Sequence, residues 1–223
     1  MVKKLSAEYL GSLLLGASVV GSGLMVTILT QDIAIQLFVN TITTVFMLFI
    51  IITLFAPISG AHFNPLVSVV EMFYKRVSVK EAGFYILAQL LGTSSGVMLA
   101  NLMFNKPAIE QSTFERSGNY RFLAEVVATA GLLMCILLLR HQNRGSIAAV
   151  IVPAWIGAAY IFTSSTSFAN PAITLARTLS DSFAGISLKS VPMFILAQCF
   201  GALLGVLLTA LLTAEKKEED VLL

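Results

Sequence analysis

Two long tracts of this chain carry no Asp, Glu, Lys or Arg, and neither has a length that suits a membrane crossing. Residues 33–70 and 145–176 are uncharged runs of 38 and 32 residues. As continuous helix at 1.5 Å per residue they would extend about 57 and 48 Å, against a hydrocarbon core of roughly 30 Å. That is too long for one crossing and too short for two, so each tract predicts one full helix and one half helix. The residues mark where the break falls. Residues 59–67 read Ser-Gly-Ala-His-Phe-Asn-Pro-Leu-Val, and residues 165–173 read Ser-Thr-Ser-Phe-Ala-Asn-Pro-Ala-Ile. Asn is a strong helix N-cap, and Pro suits the first helical position, where its missing N–H would be unpaired anyway. Each stretch therefore predicts a loop that turns into a helix inside an apolar tract.

The rest of the chain places these tracts in a membrane. It is 57% hydrophobic and only 12% charged, where a soluble domain carries about 25% charged residues. Uncharged tracts at 9–31, 82–105, 126–139 (extended back through Glu125 to Tyr120) and 190–214 each fit one span. The start, Met-Val-Lys-Lys before an apolar run, imitates a signal peptide, but Glu8 interrupts it and the segment recurs later, so it is read as the first span. The predicted fold class is an all-α membrane protein. Six transmembrane helices fall near 6–29, 37–57, 82–104, 120–140, 146–163 and 190–213, with half helices at 64–75 and 170–181. Nine Lys and Arg on the side of the two termini, Lys216 and Lys217 among them, against five on the other predict cytoplasmic termini. The tail Glu-Lys-Lys-Glu-Glu-Asp reads as a solvated end.

Composition and pattern exclude several functions. No basic cluster of the nucleic-acid-binding kind is present. Cys135 and Cys199 lie in apolar runs and are expected as buried free thiols. No nucleophile–base pair, metal-ligand spacing or phosphate loop is visible, so no enzyme activity, metal or cofactor is expected.

The chain is one membrane domain over 1–223 built from two repeats, 1–105 and 120–214. Ile86–Gly92 (Ile-Leu-Ala-Gln-Leu-Leu-Gly) matches Ile195–Gly201 (Ile-Leu-Ala-Gln-Cys-Phe-Gly), and Ala7-Glu8 matches Ala124-Glu125. Three spans per repeat is an odd number, so the second repeat is inserted upside down. Inverted repeats with broken helices place the functional site at the midplane, between the halves. There Asn64 and Asn170 can cap their half helices and still offer amide N–H groups to a lumen. Two positive half-helix ends at that level would oppose cations. Glu8 and Glu125 lie within spans and admit two readings: coupling carboxylates of a secondary transporter, or acceptors for the backbone N–H groups of the re-entrant loops.

Duplicated three-span halves, each with an Asn-Pro loop-to-helix element, resemble the aquaporin and aquaglyceroporin channel family over essentially the whole chain. The second copy keeps the family's Asn-Pro-Ala as Asn170-Pro171-Ala172; the first reads Asn64-Pro65-Leu66, whose bulkier third residue is expected to alter tip packing. The resemblance implies that the two tips meet at mid-membrane and that Glu8 and Glu125 support the loops. It implies that His62 lines the cytoplasmic limb of a pore, and that the chain forms a homotetramer in the inner membrane of a bacterium or archaeon. Gapless family spacing places the outer constriction at Thr44, Ala158, Ser167 and Ile173, all uncharged and small, which predicts a wide filter. The family's filter Arg would fall at Ile173; the nearest Arg is Arg177, one turn further out. It is expected either at the pore mouth or paired on the surface with Asp181. The run from Ser165 to Ile186 is also similar to a bacterial branch with members associated with arsenic resistance. The implied solutes are water, glycerol, urea and neutral metalloid hydroxides such as arsenite. An ion-coupled transporter and a non-conducting junction protein are the alternatives.

Overall fold

The computed structural model describes residues 1–214, and every regular element among them is helical; Lys216, Lys217 and the charged tail lie outside the described residues. The six long helices are α1 (Val2–Leu29), α2 (Ile33–Ser59), α4 (Val79–Met103), α5 (Asn119–His141), α6 (Ala148–Phe162) and α8 (Val191–Thr213). All are long and apolar enough to cross a membrane, α6 and α8 when the 3-10 turns that lead into them are counted. The two short helices are α3 (Pro65–Phe73) and α7 (Pro171–Ala176). Both start where the Asn-Pro pairs predict. Asn64 Oδ1 accepts from Leu66 N at 3.0 Å and Asn170 Oδ1 from Ala172 N at 2.9 Å, with Pro at the first helical position of each.

The second half helix is shorter than the 170–181 expected from sequence. It tightens into a 3-10 turn at Arg177–Leu179 and ends. The next carbonyls are taken by the connection between α4 and α5: Ser112 N donates to Thr178 O at 2.9 Å and Glu110 N to Leu179 O at 3.0 Å. With those acceptors occupied, the chain has no helical hydrogen bonds left to extend.

Two helix pairs dominate the packing. α1 lies on α4, and α5 lies on α8 in the same way. Glycines at matched places set the close approach. A Cβ on Gly96 would meet Leu13 O at 2.0 Å, and one on Gly205 would meet Ala130 O at 2.5 Å, so any side chain there would push the paired helices apart. Polarity is reversed relative to a soluble protein. Glu8, Gln89, Glu125 and Gln198 are fully buried, while Phe46, Leu87, Leu203 and Leu207 are exposed. In lipid that is the low-energy arrangement, since the surroundings offer apolar side chains nothing to escape and backbone or polar groups no partner. Cys135 and Cys199 are free, but neither is buried as expected: Cys135 is half-buried and Cys199 is exposed on α8.

A candidate pore between two re-entrant tips

Each loop that precedes a half helix contains left-handed residues at matched positions. Gly60 (φ 90°), Ala61 (52°) and Phe63 (48°) in the first correspond to Thr166 (61°), Ser167 (47°) and Ala169 (48°) in the second. Left-handed backbone at non-Gly residues costs on the order of 1–3 kcal/mol each and persists only where surroundings over-determine it. Here a buried carboxylate does so in each half. Glu8 accepts from His62 N (3.0 Å), Phe63 N (2.8 Å), Ser59 Oγ (2.6 Å) and Gln89 Nε2 (2.8 Å). Glu125 accepts from Phe168 N (2.9 Å), Ala169 N (3.0 Å) and Gln198 Nε2 (2.8 Å). The glutamines extend the same bracket to the half helices, donating to Ser68 Oγ at 3.0 Å and to Thr174 Oγ1 at 2.8 Å.

The tips are tied to each other. Asn64 Nδ2 donates to Ala169 O and Asn170 Nδ2 to Phe63 O, both at 2.8 Å. Each amide has a second N–H not committed to the protein, and both Asn side chains line a cavity of about 270 Å³. Pro65, Leu66, Pro171 and Ala172 start the half helices and are buried away from that cavity. The cavity runs past Asn64 and Asn170 from Arg140 and Gly145 at one end to Thr44, Tyr160 and Ile173 at the other. The Arg140 end lies toward the face where α1 begins and α8 ends, here the terminal face; the Tyr160 end lies toward the far face. His62 lines the terminal limb, with Nδ1 3.0 Å from Ser68 Oγ and its ring 5.1 Å from that of Tyr85.

At the far end the structure brings together three of the four residues expected there. Thr44, Ser167 and Ile173 line the cavity; Ala158 does not. Ala158 is exposed on the outer face of α6. The inward stripe of α6 is Val152, Ile156 and Tyr160, spaced four apart, and a residue two before Tyr160 points the opposite way. The Tyr160 hydroxyl lies 3.5 Å from Thr44 Oγ1 on the lumen wall, so a bulky phenol stands where only small residues were expected. Ser167 Oγ is buried and has no partner within the described protein.

Arg177 does not pair with Asp181. The Asp181 carboxylate accepts from Thr113 N at 2.9 Å, while Arg177 is 2% exposed and Nε donates to Ala184 O. Its guanidinium stacks 3.5 Å from the Phe168 ring centroid, and Arg116 approaches the same ring at 5.2 Å. Phe168 lines the cavity, so both arginines lie behind an aromatic wall. Arg116, in the α4–α5 connection, is anchored by Gly185 O and Phe183 O, and burial pushes its guanidinium down to about 9.

Sequence reasoning missed Gln89 and Gln198 as parts of the loop bracket, although the matched Ile-Leu-Ala-Gln segments named them. It also missed Tyr160, Phe168, Arg116 and Arg140, whose contacts are made between elements far apart in the chain. Neither Glu8 nor Glu125 lines the cavity, and among the described residues no carboxylate does.

Comparison with known proteins bears on this geometry. The family model described as major intrinsic protein matches residues 1–169 and 160–222. An aquaglyceroporin, AqpS, of Rhizobium meliloti is 42% identical over 202 residues, spanning 91% of this chain and 86% of that protein. Glycerol uptake facilitator protein-like 6 of Lactiplantibacillus plantarum is 28% identical across 68% of this chain and 74% of its own. The X-ray structure of the aquaglyceroporin from Plasmodium falciparum superposes with a TM-score of 0.68 at 21% identity, covering 95% of this chain and 97% of that one; this is a likeness of fold.

Proposed function

This chain belongs to the major intrinsic protein family of passive, multi-pass membrane channels, which are not enzymes, and from that premise we propose that it conducts water, glycerol and other small neutral solutes. The observation that carries this reading is the lumen that crosses both Asn tips. One wall offers apolar Leu15, Leu48, Ile52 and Val152, and the tips offer the free amide N–H groups of Asn64 and Asn170. A polyol has the same two-sided character, with carbon on one edge and hydroxyl oxygens on the other. The outer constriction on this reading is Thr44, Tyr160, Ser167 and Ile173. Urea and arsenite, as neutral hydrogen-bonding solutes, belong to the same class of candidates. Arg177 acts at the mouth by holding Phe168 in the wall and not by entering the lumen.

Stopped-flow light scattering on proteoliposomes tests the reading. Glycerol and water permeabilities well above those of empty vesicles are expected, with urea and arsenite completing the panel. Permeability equal to empty vesicles for every solute overturns it, and uptake that follows an imposed proton gradient favours the transporter.

The assembly and topology proposals are separable. The pore lies within one chain, and four chains with four independent pores form the proposed homotetramer. Mass photometry in nanodiscs should give four copies per particle; a uniform monomer overturns the assembly and leaves the channel intact. The terminal face is assigned to the cytoplasm of a plasma membrane by its excess of Lys and Arg. Protease protection of Lys3 and Lys4 in spheroplasts, with cleavage after lysis, is the expected result.

A further inference from the structure

The lumen carries a charge, at the end opposite to the outer constriction. Of the described residues that line the cavity, Arg140 alone is charged. It stands on the last turn of α5 at the terminal mouth. Its Nε lies 2.9 Å from Glu71 Oε1, and Arg76 Nη1 reaches the same oxygen at 3.1 Å. Glu71 is 2% exposed and lies near the C-terminal end of the half helix α3, so the ion pair fixes Arg140 to the end of that helix away from its Asn64 tip. Two guanidiniums against one carboxylate leave the cluster with one net positive charge, at the C-terminal end of α3 where the helix dipole favours a cation. Nε is committed to Glu71, and the Arg140 side chain remains 38% exposed at that mouth. The arginines of the far end, Arg116 and Arg177, lie behind Phe168 and are absent from the lining.

We propose that Arg140, tethered by Glu71, is a charge filter of this pore: it repels permeating cations at the terminal mouth, in addition to the opposition expected at the Asn tips. The inference rests on the channel reading above. A net positive charge at the mouth of a low-dielectric funnel lowers the local cation concentration, whereas a neutral solute does not respond to it. Arg140 therefore discriminates by charge more than by size. Glu71 sets where the guanidinium stands, which makes it a positioning residue.

Reconstituted vesicles test this with two readouts on the same preparation: glycerol flux by light scattering, and proton and potassium leak by entrapped dyes. Arg140→Gln should raise cation leak by about tenfold or more while retaining glycerol flux, and Arg140→Lys should keep the leak low. Glu71 remains paired with Arg76 in both variants. A charge-rescue series removes dependence on any single fold. Arg140→Cys, in a Cys135→Ser/Cys199→Ser background, should leak cations. It should be resealed by a positively charged aminoethyl thiol reagent, and not by a negatively charged sulfonatoethyl one. Arg140→Gln that conducts glycerol with the parent's cation leak overturns the proposal, as does a leak in the Cys variant that ignores the sign of the reagent. A parent protein with no glycerol flux fails the channel reading instead, and a parent that conducts glycerol keeps the two outcomes apart.

Discussion

Glu125→Gln should lower the unfolding temperature of the detergent-solubilised protein by about 5–15 °C and remove most of its solute flux. The carboxylate accepts from two backbone N–H groups and from Gln198. An amide at that place keeps one acceptor oxygen and turns an NH2 toward donors, leaving at least one buried backbone N–H without a partner. Such losses cost about 2–5 kcal/mol in a buried network, and a chain of this length shifts by about 2–4 °C per kcal/mol. The left-handed residues Ser167 and Ala169 lose the bracket that holds them, so the second tip should loosen before the helices separate. Glu8→Gln should behave alike, because Glu8 holds the first tip with one more contact, from Ser59. Glu110→Gln, which touches only the half-buried pair with Lys106, should change stability by no more than about 1 kcal/mol. The measurement is a thermal scan beside a flux assay. A Glu125→Gln protein with the parent's melting temperature and a loss of uptake confined to an imposed proton gradient would sink this reading and revive the transporter.

Ile173→Arg should cut glycerol flux at least tenfold and water flux by less than about threefold; a tenfold loss corresponds to 1.4 kcal/mol of added barrier. Ile173 is 5% exposed, lines the lumen and follows Asn170 by one helical turn. A guanidinium there fills width beside Thr44 and the Tyr160 phenol, and a polyol needs more of that width than water does. Stopped-flow traces of both solutes on one vesicle batch give the ratio directly. A variant that passes glycerol like the parent would place the narrowest point elsewhere, with the Tyr160 ring as the next to truncate.

The membrane fold and its centre are legible in the residues because a bilayer punishes local errors. An uncharged tract of 38 residues admits one interpretation, and Asn-Pro names where the half helix begins. The Glu8 and Glu125 contacts were also within reach, since their matched positions in two repeats set them apart from solitary buried acids. What could not be read was the rotation of α6. Counting back from Asn170 without gaps lands on Ala158, and a difference of two residues in the intervening loop turns the helix face from lumen to lipid. The periodic stripe Val152, Ile156, Tyr160 carried the right answer, but an almost wholly apolar helix hides its inward face. The alternative that paired Arg177 with Asp181 failed for a related reason. Its i+4 spacing to Asp181 assumed helix through residue 181, and the helix stops before it because Thr178 and Leu179 bond to the α4–α5 connection.

The crossed bonds between Asn64 and Ala169 and between Asn170 and Phe63 also say something about biogenesis. Each tip finishes its hydrogen bonding only with atoms supplied by the other repeat. During synthesis the first repeat enters the bilayer more than a hundred residues before its partner carbonyl exists. Until the second arrives, the Asn64 amide and the Phe63 carbonyl lack those partners, so the first tip reaches its final geometry only when the second repeat is in place.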